Sequence, residues 1–88
     1  MNDSQKLMKI LIVDDEIDIR ENLMDFIEIE GFDVQCAENG LKAIDTLKIY
    51  EPDIILSDLM MPEMGGQELL EKLKELEYTI PVIIMTAF

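Results

Sequence analysis

Three acidic residues stand where apolar runs stop. Ile10-Leu11-Ile12-Val13 is followed at once by Asp14 and Asp15, and Ile54-Ile55-Leu56-Ser57 by Asp58. A further run, Val82–Met85, ends in Thr86. If the first two runs are neighbouring parallel strands, three carboxylates meet at the C-terminal edge of a sheet, where open α/β sheets place their sites. Like charges held that close need a cation, and carboxylate oxygens suit a hard divalent ion. A carboxylate relieved of charge repulsion can also act as a nucleophile. Each acid has a plainer reading as well. An Asp just before Ile17 can cap a helix, with Glu16 and Asp18 suiting its first turn, and Asp58 can simply start a turn. Capping does not explain why an acid recurs at the end of a second strand.

The elements that must position these acids follow from hydrophobic period. Lys9–Val13 is a continuous aliphatic run, as expected of a strand buried on both faces. Ile17–Glu30 has helical spacing, with Ile19, Leu23, Phe26 and Ile27 on one face and Gly31 as the stop. Asp33–Ala37 is a short second strand. Asn39-Gly40 opens a second helix whose Ala43, Ile44, Leu47 and Tyr50 share a face, and Pro52 closes it. Ile54–Ser57 is the third strand. Gly65-Gly66 leads into a third helix with Leu69, Leu70, Leu73 and Leu76 inward, and Pro81 starts the fourth strand, Val82–Met85. Alternating strands and helices with short links imply a parallel sheet with right-handed crossovers. The order 2-1-3-4, that of a flavodoxin-like three-layer α/β fold, sets strands one and three side by side and brings Asp14, Asp15 and Asp58 together.

The run from Asp58 to Gly66, Asp-Leu-Met-Met-Pro-Glu-Met-Gly-Gly, matches the Asp-x-x-Met-Pro-x-Met-x-Gly signature of response-regulator receiver domains. With Asp14-Asp15 upstream and Thr86-Ala87 downstream, the chain resembles this family of two-component signalling modules over essentially its whole length. The resemblance implies a Mg2+ site in which Asp15, Asp58 and the backbone carbonyl of Met60 bind the metal and Asp14 assists through water. It implies that Asp58 accepts a phosphoryl group from a phosphohistidine on a sensor histidine kinase or phosphotransfer protein. Thr86 would be the switch hydroxyl that meets a phosphoryl oxygen, and Ala87 would leave that group steric room. Met60 and Phe88 fall where relatives tune dephosphorylation. Without Asp58, Thr86 would read as a β-branched strand end.

Composition limits the alternatives. The 88 residues, read as one domain, bury only somewhat more than ~60% of their unfolded surface, so stability is marginal. The net charge of -13, with 20 acidic residues against 7 Lys and Arg, disfavours direct contact with nucleic acid or an anionic membrane. Cys36 is the only cysteine, which fits a reducing cytosol and reads as a small apolar strand residue. No stretch is long enough to span a membrane, and no signal-peptide core follows Met1–Lys9, so a cytoplasmic location is expected. With no His and one Cys, zinc and Ser-His-Asp sites are out of reach. No G-x-G-x-x-G or Walker pattern occurs. Met61 and Met64 read as packing residues.

Receivers continue after the switch Thr with a helix, a fifth strand bearing a Lys that pairs with the phosphoryl group, and a final helix. This sequence stops at Phe88, so it is expected to be the N-terminal part of a receiver with impaired phosphotransfer and switching. Strand four becomes a sheet edge and one sheet face loses a covering helix, so self-association through that strand and face is expected. Two other functions compete. One is a phosphorylation-independent interaction module on the same fold. The other is a Mg2+-dependent phosphohydrolase, but such enzymes commonly need a second Asp two positions after the nucleophile, where this chain has Met60.

Overall fold

The computed structural model describes residues 7–61 and 63–85. Among these, the elements run β1 (Lys9–Val13), α1 (Ile17–Ile29), β2 (Asp33–Ala37), α2 (Gly40–Leu47), β3 (Ile54–Asp58), α3 (Gly66–Glu75) and β4 (Val82–Met85). The four strands form one parallel sheet in the order β2-β1-β3-β4, as the alternation predicts. Aliphatic content explains the central position of β1: Leu11, Ile12 and Val13 are fully buried, and only a strand flanked on both edges and covered on both faces needs such a run.

The two faces are built unequally. Leu11, Val13 and Ile55 point to the face covered by α2 and α3, where they pack with Ala43, Leu47, Leu69 and Leu73. Met61 and Met64 pack against this cluster, as expected of gap-filling side chains. The other face carries Ile10, Ile12 and Val34, which α1 covers through Ile27, with Leu23, Cys36, Ile54 and Leu56 around them. Ile83 pairs in register with Leu56 and therefore shares this second face, yet it is 49% exposed. Here α1 lies over β1 and β2, and among the described residues no element covers β3 and β4 on that side.

That asymmetry corrects several readings. Ile19 and Phe26, expected inward, are exposed: α1 packs on the sheet through Ile27, Leu23 and Met24. Leu76 caps α3 and is exposed; Leu69 and Leu73 alone of that stripe are buried. Helix α2 ends at Leu47 rather than reaching Tyr50, which follows in a tight turn and still packs on the core. Helix α1 ends at Ile29, one residue short of expectation, and Gly31 at φ 100° then closes it. The Gly31 and Phe32 amides bond back to Glu28 and Ile27, satisfying the last carbonyls of the helix. The Asn39 side chain accepts from the Lys42 amide at 2.9 Å and starts α2 as predicted.

Candidate metal and phosphoacceptor site

Parallel pairing of β1 with β3 puts Val13 beside Ser57, so the residues that follow, Asp14 and Asp58, leave the sheet side by side. One carboxylate oxygen from each of Asp14, Asp15 and Asp58 lies within 4.8 Å of the others. Burial is graded across the cluster: Asp14 is buried, Asp58 half-buried and Asp15 exposed. The structure thus brings together the three acids that the sequence singled out. Strand β3 extends one residue past Ser57 and includes Asp58, because Asp58 pairs in register with Met85. The Leu59 amide then bonds the Met85 carbonyl at 3.1 Å, holding the strand end against β4.

Asp14 is held at three points. Its amide donates to the Ala37 carbonyl at 3.1 Å. Its Oδ1 accepts from the Glu16 amide at 2.9 Å, and its carbonyl accepts from Arg20 Nη1 at 2.7 Å. The plain capping reading is therefore half right. Glu16 is the N-cap of α1 and makes no side-chain cap bond; Asp14 instead closes a turn just before the helix. Burial pushes the Asp14 carboxyl above its ordinary value of 3.8, although the Glu16 amide works against that. The charges of Asp58 and Asp15 push it further up, and Arg20 pulls it down.

The loop after Asp58 is drawn tight by glycines. A Cβ on Gly66 would stand 2.6 Å from the Asp58 carbonyl oxygen, and one on Gly65 would stand 2.7 Å from that of Leu59. Only glycine lets α3 begin so close to the strand end, with the Gly66 amide donating to the Leu59 carbonyl at 2.9 Å. Glycine at position 65 therefore matters for the close approach of the loop to the strand end. Ser57, fully buried, donates its hydroxyl to the Asp58 carbonyl at 3.0 Å.

Met60 lies in this loop and is 76% exposed. Thr86 and Ala87, expected to complete the site, lie outside the described residues, as does Phe88. Two residues that sequence reasoning passed over belong here. Arg20 is the only arginine of the chain, set a turn and a half past the acid pair. Ser57 is a polar residue inside an apolar run, a signal visible in hindsight.

Three hard oxygen donors converging from two strand ends, with nothing soft among them, fit Mg2+ or a similar divalent ion. An open parallel sheet in this order, with such a cluster on its C-terminal edge, defines a flavodoxin-like fold with its candidate site where such sheets place theirs. The profile of the response regulator receiver domain matches residues 10–88, and the chain belongs to that family. Receiver domains are signalling modules of two-component systems that typically bind Mg2+ at their acidic cluster and interact with histidine kinases or phosphotransfer proteins.

Similar proteins include the sporulation initiation phosphotransferase F of Bacillus subtilis (strain 168), 44% identical over 80 residues, covering 91% of this chain and 64% of the relative. The regulatory protein AtoC of Escherichia coli (strain K12) is 41% identical over 80 residues, covering 91% of this chain but 17% of that protein. This chain thus spans less than two thirds of the length of either. Among solved structures, the Thermotoga maritima response regulator TrrA in complex with Mg(2+)-BeF aligns with a TM-score of 0.85 and 32% identity, covering 93% of this chain and 71% of that one.

Proposed function

We propose that this chain accepts a phosphoryl group on Asp58, with Asp15, Asp58 and the Met60 carbonyl holding Mg2+ directly and Asp14 assisting through water. The observation that carries this reading is the convergence of the three carboxylates within 4.8 Å at the edge of the sheet. When bound, the ion supplies charge neutralisation and a template for phosphoryl oxygens. The chain supplies the nucleophile and its aim. The Asp58 carboxylate attacks phosphorus in line with the leaving group, an O–P bond forms, and the P–N bond of the donor phosphohistidine breaks. The departing imidazole keeps the electron pair of that bond. Positioning dominates in such transfers, and here the β3–β4 pairing, the Ser57 hydroxyl and the close start of α3 fix the Asp58 backbone. Thr86 and Ala87 enter by family membership, as switch hydroxyl and as the small neighbour that leaves room for phosphate.

The donor partner is a histidine kinase or phosphotransfer protein, and the acidic surface leaves no role for direct nucleic-acid contact. No helix among the described residues is long and apolar enough to cross a membrane. A phosphorylation-independent contact surface is the competing reading, favoured by one observation. Ile83 is half exposed on a β4 strand that, among the described residues, pairs only with β3. Two copies joined there would sediment as a dimer, and a compact monomer at high concentration removes that idea.

The deciding experiment is intact-mass detection of a phosphoryl adduct after incubation with Mg2+ and a small-molecule phosphodonor. An adduct that requires both Asp58 and the metal supports the proposal. No adduct, with metal binding retained, leaves a cation site without phosphoryl chemistry and favours the contact-surface reading.

A further inference from the structure

We infer that Arg20 is a positioning residue for the acid cluster, setting the direction of Asp15 by clamping the peptide that joins it to Asp14. The inference rests on the Mg2+ reading of the cluster. Arg20 sits in the opening turns of α1, where its amide makes an early helical hydrogen bond, to the Glu16 carbonyl at 3.0 Å. Its side chain reaches back past the helix start, and Nη1 donates to the Asp14 carbonyl at 2.7 Å. That length is at the short end for a charge-assisted bond.

The choice of partner is informative. Arg20 lines an open cleft of about 500 Å³ together with Glu38, Asp45 and one other cation, Lys42, and Glu16 and Glu21 are near it in sequence. A guanidinium among so many carboxylates would be expected to form an ion pair. Among the described residues the ion pairs are Lys48–Asp45 and Lys72–Glu75, and Arg20 is in neither. Its short bond goes to a backbone carbonyl of the metal turn instead. That carbonyl belongs to the peptide whose nitrogen is that of Asp15. Fixing the plane of this peptide fixes the Asp15 N–Cα bond, and so narrows the directions its Cα–Cβ bond can take.

Among the described residues no hydrogen bond or ion pair engages the Asp15 carboxylate, and Asp15 is the exposed member of the cluster. Asp14 is anchored independently through Ala37 and Glu16, and Asp58 through the sheet. Loss of Arg20 should therefore loosen one ligand of the three.

A positive charge near a cation site would by itself weaken metal binding, and this gives the test its sign. Mg2+ and Ca2+ affinities are measured calorimetrically for the wild-type chain, Arg20→Ala and Arg20→Lys, each below its own metal-free thermal midpoint. Positioning predicts that Arg20→Ala binds Mg2+ roughly tenfold more weakly, the lower end of what is lost when groups behind metal ligands are removed. Ca2+, which accepts irregular geometry, should lose less. Arg20→Lys, with a single-point donor in place of the planar fork, should fall between, and it carries the test if Arg20→Ala does not fold. Unchanged or tighter Mg2+ binding in both variants overturns the inference, even if their midpoints drop, since Arg20 would then be only a support for the helix start. Equal losses for Mg2+ and Ca2+ overturn it too. A wild-type chain that binds no Mg2+ fails earlier and removes the site reading itself.

Discussion

Both ends of the sheet collect aspartates, and the two collections differ in how their charge is met. At the N-terminal end, Asp33 opens β2 and Asp53 precedes β3. The Asp53 carboxylate accepts from the Lys9 amide at 2.8 Å, and its own amide donates to the Lys9 carbonyl. Tyr50 donates its hydroxyl to the Asp33 carbonyl at 3.2 Å and lies 3.3 Å from its carboxylate, while the Lys9 ammonium sits 5.7 Å from the Tyr50 ring centre. Both of these aspartates have a donor beside them. At the C-terminal end Asp14, Asp15 and Asp58 face one another, the Glu16 amide is the one donor to a carboxylate of the cluster among the described residues, and Arg20 is turned to a backbone carbonyl. The first arrangement ties its acids into the fold; the second sets three carboxylates against one another, which is where the proposed function puts a cation. Acidity alone does not distinguish the two ends, but compensation does.

The sharpest way to break this comparison is to neutralise one acid at each end. Asp58→Asn should reduce the phosphoryl adduct to background in the intact-mass assay, whereas Asp53→Asn, which keeps an acceptor for the Lys9 amide, should leave it near wild type. Equal effects would mean that the site is not confined to the C-terminal edge. Metal comes next. Mg2+ at about a hundred times its dissociation constant should stabilise the fold by roughly 2.7 kcal/mol, seen as a raised thermal midpoint that a chelator reverses. Asp15→Asn should shrink that rise, and Asp33→Asn should not.

Much of this contrast was legible in the sequence because it depends on order and period. Aliphatic runs ending in Asp-Asp and in Ser-Asp define parallel strands with acids at one edge, and the 2-1-3-4 order follows from bringing those edges together. What escaped was set by partners distant in sequence. Ile19 and Phe26 obey the helical period and are nevertheless exposed, because period says which flank is apolar but not whether anything covers it. Tyr50 was read as helical, since its spacing from Leu47 fits; its hydrogen bond to Asp33, 17 residues away, and the turn that reaches it are tertiary facts. Arg20 looked like one more charge on an acidic helix until its carbonyl partner was seen.

The N-terminal end can be weakened without touching the site. Tyr50→Phe removes a hydroxyl whose net contribution should be about 1 kcal/mol, with Mg2+ affinity and adduct formation unchanged. Burial, reinforced by the charge of Asp33, pushes the Tyr50 hydroxyl up to about 12 from an ordinary 10.0. The contribution from this shift is fully present below pH 10.0 and is lost as pH rises through about 12, because the unfolded chain releases the proton first. Wild type should therefore lose stability in that alkaline window faster than Tyr50→Phe. Parallel curves would show that the bond to Asp33 does not persist in solution.

The smallest effect tests the other end on its own terms. Asp14→Asn keeps an Oδ1 acceptor for the Glu16 amide and removes only the charge. Because burial and its neighbours raise the Asp14 pKa above 3.8, the folded state holds this proton more tightly than the unfolded chain does. The resulting stability is present in full below pH 3.8 and is lost as pH rises through the folded-state value. At neutral pH without metal, the wild type therefore carries the whole cost of a buried anion, and Asp14→Asn should unfold a few degrees higher in the presence of a chelator. That advantage should narrow as the pH falls toward 3.8 and vanish below it. It should reverse at neutral pH when Mg2+ is added, since the ion can repay the wild type for a charge that the variant lacks. A metal-free variant less stable than wild type would mean that the Asp14 carboxylate is already satisfied, like those at the opposite end, and that the two ends of the sheet differ in position only.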